Sequence, residues 1–160
     1  MDKTNAMRML DKAGISYEAL GYPSNGEALD AVTVAGLLNV APERVFKTLV
    51  LQGHDQAFYV CVIPGQAELD LKKAAAAFKV KSLRMLHVDE IRPVTGYVRG
   101  GCSPIGMKKR LRTAVDESAL IQPCILVSAG VIGAQIKLRP EDLIKVCGAL
   151  STNLVRDSSA

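Results

Sequence analysis

Apolar residues recur at two periods along the chain, and each period predicts one kind of element. Residues 4–13 and 28–38 place apolar side chains three and four positions apart, which is typical of amphipathic helices. Gly14 can end the first helix, because glycine tolerates the left-handed conformation common just beyond a helix. The apolar face expected on the second helix consists of Leu29, Val32, Leu37 and Leu38.

The middle of the chain predicts a β-hairpin followed by a helix. Residues 45–51 and 57–63 are rich in β-branched and aliphatic side chains, and turn-forming residues at 53–56 connect them. The alanine-rich stretch 71–78 favours a helix, with Asp70 as an N-cap that accepts backbone hydrogen bonds.

Shorter elements complete the predicted pattern. A helical turn over 88–92 is expected to end at Pro93, and a last helix to run from Pro140 to Gly148. The polar residues from Ser151 onward are expected to fray. Further short strands are predicted at 15–20, 82–86, 113–115, 124–128 and 134–138.

Strands and helices follow one another irregularly, with hairpins rather than regular βαβ units. This order predicts an α/β fold of the α+β kind, with helices packed on a mixed, largely antiparallel sheet. We expect the 160 residues to form a single domain over 1–150, followed by a polar tail over 151–160.

Composition narrows the classes of function. Hydrophobic residues make up 49% of the chain, which argues against disorder, and aromatic residues only 4%, which argues against base-stacking platforms. The net charge of +4 is compatible with RNA contact, and equally with a slightly basic protein that binds no nucleic acid.

Metal and membrane chemistry have little support in the sequence. The four cysteines include no CxxC pair and lie far from the two histidines, so no metal site and no cofactor are predicted. No signal peptide or membrane span is evident, and we therefore expect a cytoplasmic protein without a membrane partner.

Lys47 is an unusual residue for its position. Strand alternation places Lys47 on one face with Val45, Leu49 and Leu51, where an unpaired cation is costly to bury. It could be an edge-strand lysine whose stem covers apolar surface. Alternatively, it is a cationic donor directed into a cleft, where it could stabilise an oxyanion or hold a phosphate or ribose.

A glycine-rich loop at 100–106 is the second candidate feature. Three glycines in seven residues would let a ligand approach backbone N–H groups, although a plain tight turn is an equal alternative. The following cations suit an anionic substrate or a solvated face. They are Lys108, Lys109, Arg110 and Arg112.

The sequence gives little support for a catalytic nucleophile of the protein. Ser128, at a strand exit, could bind a ligand or satisfy local backbone, and neither Ser103 nor Ser128 lies in a G-x-S-x-G elbow. Cys102 is the only loop cysteine; nearby lysines could activate it, but a passive thiol is favoured. Any catalysis is therefore expected to use positioning and electrostatics.

An ordered set of short segments resembles the YbaK/EbsC family, the free-standing relatives of the editing domain of bacterial prolyl-tRNA synthetases. The set spans roughly residues 15–148, and the segment after Ser128 departs from it, with Val131-Ile132-Gly133 where the family usually has Lys-Arg-Gly. The matching segments are 45–50, 68–73, 95–98, 100–106, 108–111, 116–119, 127–130 and 140–143.

The resemblance implies a compact domain around a barrel-like mixed sheet and a trans-editing deacylase that removes Cys or Ala from tRNA(Pro). It implies Lys47 as the essential residue, with no protein nucleophile: either the substrate's own thiol forms a thiolactone, or a positioned water attacks. The substrate-binding residues implied are Tyr22, Thr48, Gly100, Gly101, Ser103, Ser128 and Gln135.

The partners implied are the acceptor end of a mischarged tRNA and prolyl-tRNA synthetase, with the oligomeric state open. The alternative is a non-catalytic module that uses the same cleft to associate with a synthetase or to bind a nucleotide.

Overall fold

The computed structural model describes residues 2–157, which fold into five α-helices and two β-sheets. The helices are α1 (Asn5–Lys12), α2 (Ala31–Leu38), α3 (Leu71–Phe78), α4 (Val88–Thr95) and α5 (Pro140–Cys147). The strands are β1 (Glu18–Gly21), β2 (Phe46–Gly53), β3 (Phe58–Pro64), β4 (Leu83–Met85), β5 (Arg112–Asp116), β6 (Ile125–Ser128), β7 (Ala134–Leu138) and β8 (Leu150–Thr152).

The predicted hairpin is confirmed as β2 and β3, which form the centre of a five-stranded sheet in the order β4-β2-β3-β5-β8. A second sheet has the order β1-β7-β6 and is antiparallel throughout. The mixed, largely antiparallel α/β character is thus confirmed. The parallel pairs are β3 with β5 and β5 with β8.

The two sheets meet at a single bridge between Val45 and Leu126 and do not close into one barrel. A core formed by α1, α5 and the inner faces of both sheets fills the space between them. A second core packs α3 on the opposite face of the larger sheet. Among the described residues, no helix has the length and apolar character needed to span a bilayer.

The face predicted for α2 is wrong at Leu29, Val32 and Leu37, which are exposed, and right at Leu38, which packs against the core. Val32 and Leu37 are about half exposed, at 50% and 48%, whereas Val34 and Ala35 are buried. The helix begins at Ala31 after the N-cap Asp30, and it packs against Tyr22 and Val45. This helix is apolar on nearly all sides, so periodicity could not identify the side that faces the core.

The end predicted for α4 at Pro93 is also wrong, because the helix continues to Thr95. Proline removes one backbone donor, but the following turn is closed by other bonds. The Thr95 hydroxyl donates to the Ile91 carbonyl at 2.8 Å, and Gly96 N donates to the Arg92 carbonyl at 2.8 Å.

The expectation that the chain frays from Ser151 onward is wrong for residues 151–157, which are ordered on the fold. Residues 158–160 of the predicted tail lie outside the described residues. Strand β8 pairs in parallel with β5, and Leu154 is fully buried. Leu154 N donates to Asp116 Oδ1 at 2.8 Å, and its carbonyl accepts from Asp70 N at 2.8 Å. Because the residues around Leu154 are polar, the composition of this segment does not indicate that Leu154 is buried.

Candidate functional site

A cleft of about 420 Å³ opens beside the first half of β2. The edge of β2 away from β3 is bridged to β6 at Val45 and pairs with β4 only from Leu51 onward. Within residues 2–157, no strand covers the edge between these two points. The cleft brings together most of the predicted site residues, namely Tyr22, Lys47, Thr48, Gly100, Ser128 and Gln135.

Lys47 lies on the α3 side of β2, opposite Ile63 of β3, and its side chain is half-buried. Burial lowers the pKa of its ammonium, and the negative charge of Glu68 opposes that shift. None of the ion pairs found within residues 2–157 includes Lys47. It is therefore a desolvated cation in a cleft, on a strand with neighbours on both sides in the sheet order.

Two cleft residues carry polar atoms without internal partners. Thr48 Oγ1 and Gln135 Oε1 are both buried, and neither makes a hydrogen bond to any residue in the described part of the chain. A buried polar group without a partner costs about 1–3 kcal/mol, so these two atoms are suited to bind a polar ligand.

Ser128 and Tyr22 belong to the far wall of the cleft. Ser128 lies opposite Gln135 in the β6–β7 pair, and its Oγ accepts from Gly130 N at 3.2 Å. It thus orders the local backbone, and within residues 2–157 no hydrogen bond donated by its own hydroxyl is found. Tyr22 N donates to the Gly133 carbonyl at 2.9 Å. This bond connects the end of strand β1 to the loop between β6 and β7.

Gly100 is the point where the glycine-rich loop enters the cleft. Its φ of +84° is in the left-handed region, and a Cβ there would lie 2.5 Å from Ala28 Cβ. Only glycine fits both restraints without movement of the neighbouring loop. The bare backbone at this point lines the cleft.

Gly101 and Ser103 are not among the residues that line the cleft. A Cβ on Gly101 would meet the backbone of Val131 and Ile132 at about 3.0 Å. Ser103 is fully buried, and its Oγ accepts from Ile105 N at 3.3 Å. Both residues thus pack inside the protein, where they hold the glycine-rich loop in position without lining the cleft.

Tyr97 fixes the same loop from its other side. Its hydroxyl donates to the Ile105 carbonyl at 2.7 Å, and it lies within 3.2 Å of the Gly106 carbonyl. A Cβ on Gly130 would lie 2.8 Å from the tyrosine ring. Tyr97 therefore holds the glycine-rich loop against the loop that follows β6.

The cations that follow the loop lie elsewhere. Lys109 and Arg110 line a separate cavity of about 120 Å³, and Arg112 donates to the Phe78 carbonyl at 3.1 Å at the end of α3. The cation that lines the cleft in addition to Lys47 is Arg99, which is exposed. Its position directly before Gly100 is the signal in the sequence that places it beside the glycine-rich loop.

Cys102 lines the cleft but is 9% exposed, and burial raises the pKa of its thiol to about 11. We expect it to be slow to alkylate, because at pH 8 almost none of it is thiolate. In native protein treated with iodoacetamide at pH 8 and mapped by mass spectrometry, the half-buried Cys124 should react first. Faster labelling of Cys102 than of Cys124 would contradict this prediction.

Among residues 2–157, no group of three or more histidine, cysteine and acidic side chains is placed to hold a metal ion. The polar groups of the cleft are an ammonium, a guanidinium, hydroxyls, an amide and the carboxylate of Asp30, which caps α2 by accepting from Thr33 N at 2.8 Å. This set is suited to bind anionic and hydroxyl-bearing groups rather than a metal.

The fold and the cleft define an α/β domain with a cationic pocket built on a broken sheet edge. Residues 26–146 match the family model for the aminoacyl-tRNA editing domain, and the chain belongs to that family. A solved structure described as a candidate trans-editing enzyme for prolyl-tRNA synthetase superposes with a TM-score of 0.85 at 25% identity. The match covers 98% of this chain and 100% of that one.

The curated relatives agree with the family. EbsC of Enterococcus faecalis, whose name describes a candidate Cys-tRNA(Pro)/Cys-tRNA(Cys) deacylase, is 45% identical over 144 residues, which cover 90% of this chain and 88% of EbsC. The proline–tRNA ligase of Thermosipho africanus is 36% identical over 76 residues, 48% of this chain and 13% of the ligase. The YbaK/EbsC resemblance is thus confirmed.

Proposed function

We propose that this protein is a trans-editing deacylase that removes a small wrongly attached amino acid, cysteine or alanine, from tRNA(Pro). The observation that carries the proposal is the half-buried ammonium of Lys47, which forms no ion pair within residues 2–157, in a cleft where the buried Thr48 Oγ1 and Gln135 Oε1 also have no partner. Membership of the editing-domain family and the names of its relatives support the choice of substrate.

The Lys47 ammonium stabilises the negative charge that develops on the ester carbonyl oxygen in the tetrahedral intermediate. In a half-buried setting this stabilisation is stronger than in water, because fewer water dipoles screen it. The Gly100 backbone and the hydroxyls of Thr48 and Ser128 hold the ester and the terminal ribose. Thr48 and Ser128 bring donors to opposite walls of the cleft.

Two routes lead from this arrangement to deacylation, and neither uses a nucleophile of the protein. With cysteine, the substrate thiolate attacks its own carbonyl, the bond to the ribose oxygen breaks, and that oxygen takes up a proton as a cyclic thiolactone leaves. With alanine, water attacks and the free amino acid leaves. The raised pKa of Cys102 is consistent with its being a bystander.

The wall of the cleft near α2 favours a short side chain. Ala31 and Val34 line it, and a Cβ added to Gly65 would lie 2.2 Å from Ala31 Cβ. This closely packed apolar wall suits a methyl group or the CH2–SH group of cysteine.

Prolyl-tRNA synthetase is proposed as the partner that delivers the tRNA. In the lining of the cleft, Arg99 supplies a cation in addition to Lys47, and the loop after β6 carries Val131 and Ile132. Few cations at the mouth give a weak attraction to phosphates, so affinity for bare tRNA should be low and should fall further as salt rises.

The test is a deacylation assay with a panel of tRNAs mischarged with cysteine, alanine and serine, each with and without prolyl-tRNA synthetase. We expect Cys-tRNA(Pro) or Ala-tRNA(Pro) to be cleared well above the spontaneous rate, and correctly charged Pro-tRNA(Pro) to be spared. Thiolactone among the products distinguishes the two routes. Failure on the whole panel would favour a non-catalytic, synthetase-associated or nucleotide-binding module.

The charge of Glu68 gives a prediction for the pH profile. Activity needs the Lys47 ammonium, so it should fall as pH rises through the lowered pKa of this group. Glu68→Gln removes the charge that raises this pKa, and the alkaline limb of kcat/KM should therefore move to lower pH. Because the Glu68 side chain is 74% exposed, the shift should be larger at low salt. Glu117→Gln, an exposed change in another part of the fold, should leave the profile unmoved.

A further inference from the structure

A second cavity of about 260 Å³ adjoins the cleft, and the two share a wall made of Thr48, Leu49, Arg99, Gly100 and Cys102. Its outer wall is aliphatic and comes from the end of β4 and the start of α4. Two of these side chains are open to solvent: Met85 is 40% exposed and Val88 is 57% exposed. The family match does not assign a role to this cavity.

The wall shared with the cleft carries hydrogen-bonding groups of the backbone. The Val50 carbonyl accepts from Leu86 N at 3.1 Å, so the peptide groups of Val50 point away from β3. In an antiparallel pair the N–H and C=O of one residue point the same way, and the direction repeats every second residue. Thr48 therefore points its N–H and C=O to the uncovered edge, where no described strand pairs with them.

We infer that this second cavity binds the purine base of the terminal adenosine of the tRNA. The inference rests on the proposed function, since an ester held at Lys47 places the ribose at the shared wall. The base must then lie beside the cleft. An adenine fits the chemistry, because its flat faces pack on aliphatic side chains and its edge pairs an acceptor nitrogen with an amino donor, matching the N–H and C=O of Thr48.

Position in the fold separates this occupant from the amino-acid side chain. The second cavity is bounded by residues of β4 and α4, whereas the wall proposed for the side chain is formed by Ala31 and Val34 of α2, which do not line the second cavity. The exposed guanidinium of Arg99, which lines both cavities, lies where it can meet the phosphate of the same nucleotide.

The direct test uses adenosine alone, with uridine for comparison, added to isotope-labelled protein and followed by NMR of the backbone amides. We expect adenosine to shift the amides of Thr48, Leu49, Leu86 and Ile91, and uridine to bind at least several-fold more weakly. Val88→Gln should weaken adenosine binding about fivefold, because it replaces an apolar contact on the base. The matched control is Leu120→Gln, which changes an apolar residue of comparable exposure, 46% against 57% for Val88, away from both cavities.

Failure of this inference and failure of the proposed function give different results. If the wild type clears mischarged tRNA but cleaves alanyl-adenosine and alanyl-uridine esters equally well, the base site is wrong and the deacylase stands. If adenosine shifts only amides around Tyr22 and Ser128, the base site is likewise wrong. If adenosine binds the second cavity and no mischarged tRNA is cleaved, the base site stands and the deacylase is wrong.

Discussion

Replacement of Lys47 by alanine is expected to lower the rate of deacylation by about 100- to 1,000-fold, the loss typical of removing one donor to an oxyanion. The loss should appear in kcat, because the ammonium interacts more strongly with the tetrahedral oxyanion than with the ester in the ground state. Single-turnover assays on Cys-tRNA(Pro) and Ala-tRNA(Pro) at pH 7.5 would measure it. Lys72→Ala, an exposed lysine of α3 away from the cleft, is the matched control.

A second variant of Lys47 distinguishes a loss of catalysis from a loss of folding. Burial lowers the pKa of Lys47 below that of an unfolded chain, so the charged form destabilises the folded state at neutral pH. Lys47→Met keeps the aliphatic stem and removes the charge, and its Tm should equal or exceed that of the wild type while activity is lost. Retained activity in either variant, or a loss of activity that tracks unfolding, would contradict the role proposed for Lys47.

Lys47 could be selected from the sequence because a cation among aliphatic residues violates the pattern of its strand. The sequence alone left two explanations, and the difference between them is tertiary. Strand β2 has neighbours on both sides, yet its edge is uncovered between the bridge at Val45 and the pairing that begins at Leu51. Local periodicity does not show where a strand loses its neighbour, since the neighbouring strands come from distant parts of the chain.

Other features of the site could not be predicted from the sequence for related reasons. The four cations after the glycine-rich loop were conspicuous in the sequence, but none of them lines the cleft, whereas Arg99 does. The parallel pairing of β5 with β3 and with β8 depends on long connections that carry no hairpin signal. By contrast, turn and cap residues such as Asp70 and Gly148 act locally, and the helices that they bound were predicted closely.

The segment after β8 has a direct connection to the site. Arg156 pairs with Glu68 at 3.2 Å, and Arg156 N donates to the Glu68 carbonyl at 2.9 Å. Together with the bond from Asp70 N to the Leu154 carbonyl, these contacts fix the loop between β3 and α3. This loop carries Gly65, which lines the cleft, and Glu68, whose charge acts on Lys47. The end of the described chain is therefore part of the scaffold of the cleft.

Truncation of Leu154 to alanine is expected to destabilise the protein by about 2–5 kcal/mol, the range for a buried leucine. Leu154 is fully buried in the core beneath α3, in contact with the cluster that contains Leu51, Tyr59 and Phe78. For a domain of this size, the loss corresponds to a fall in Tm on the order of 10 °C. Urea denaturation followed by circular dichroism would measure the free energy of unfolding.

The neighbouring residue provides the control for this truncation. Val155 is only half-buried: its side chain packs on the margin of the same cluster, and its backbone bridges Leu69, so Val155→Ala should cost less than Leu154→Ala. If Leu154→Ala and Val155→Ala were equally mild, the segment would not be an anchor. The anchor also predicts that Leu154→Ala retains deacylation in the cold and loses it on warming sooner than the wild type. Loss at all temperatures with unchanged stability would instead place Leu154 in the chemistry, against its burial on the α3 side of the sheet.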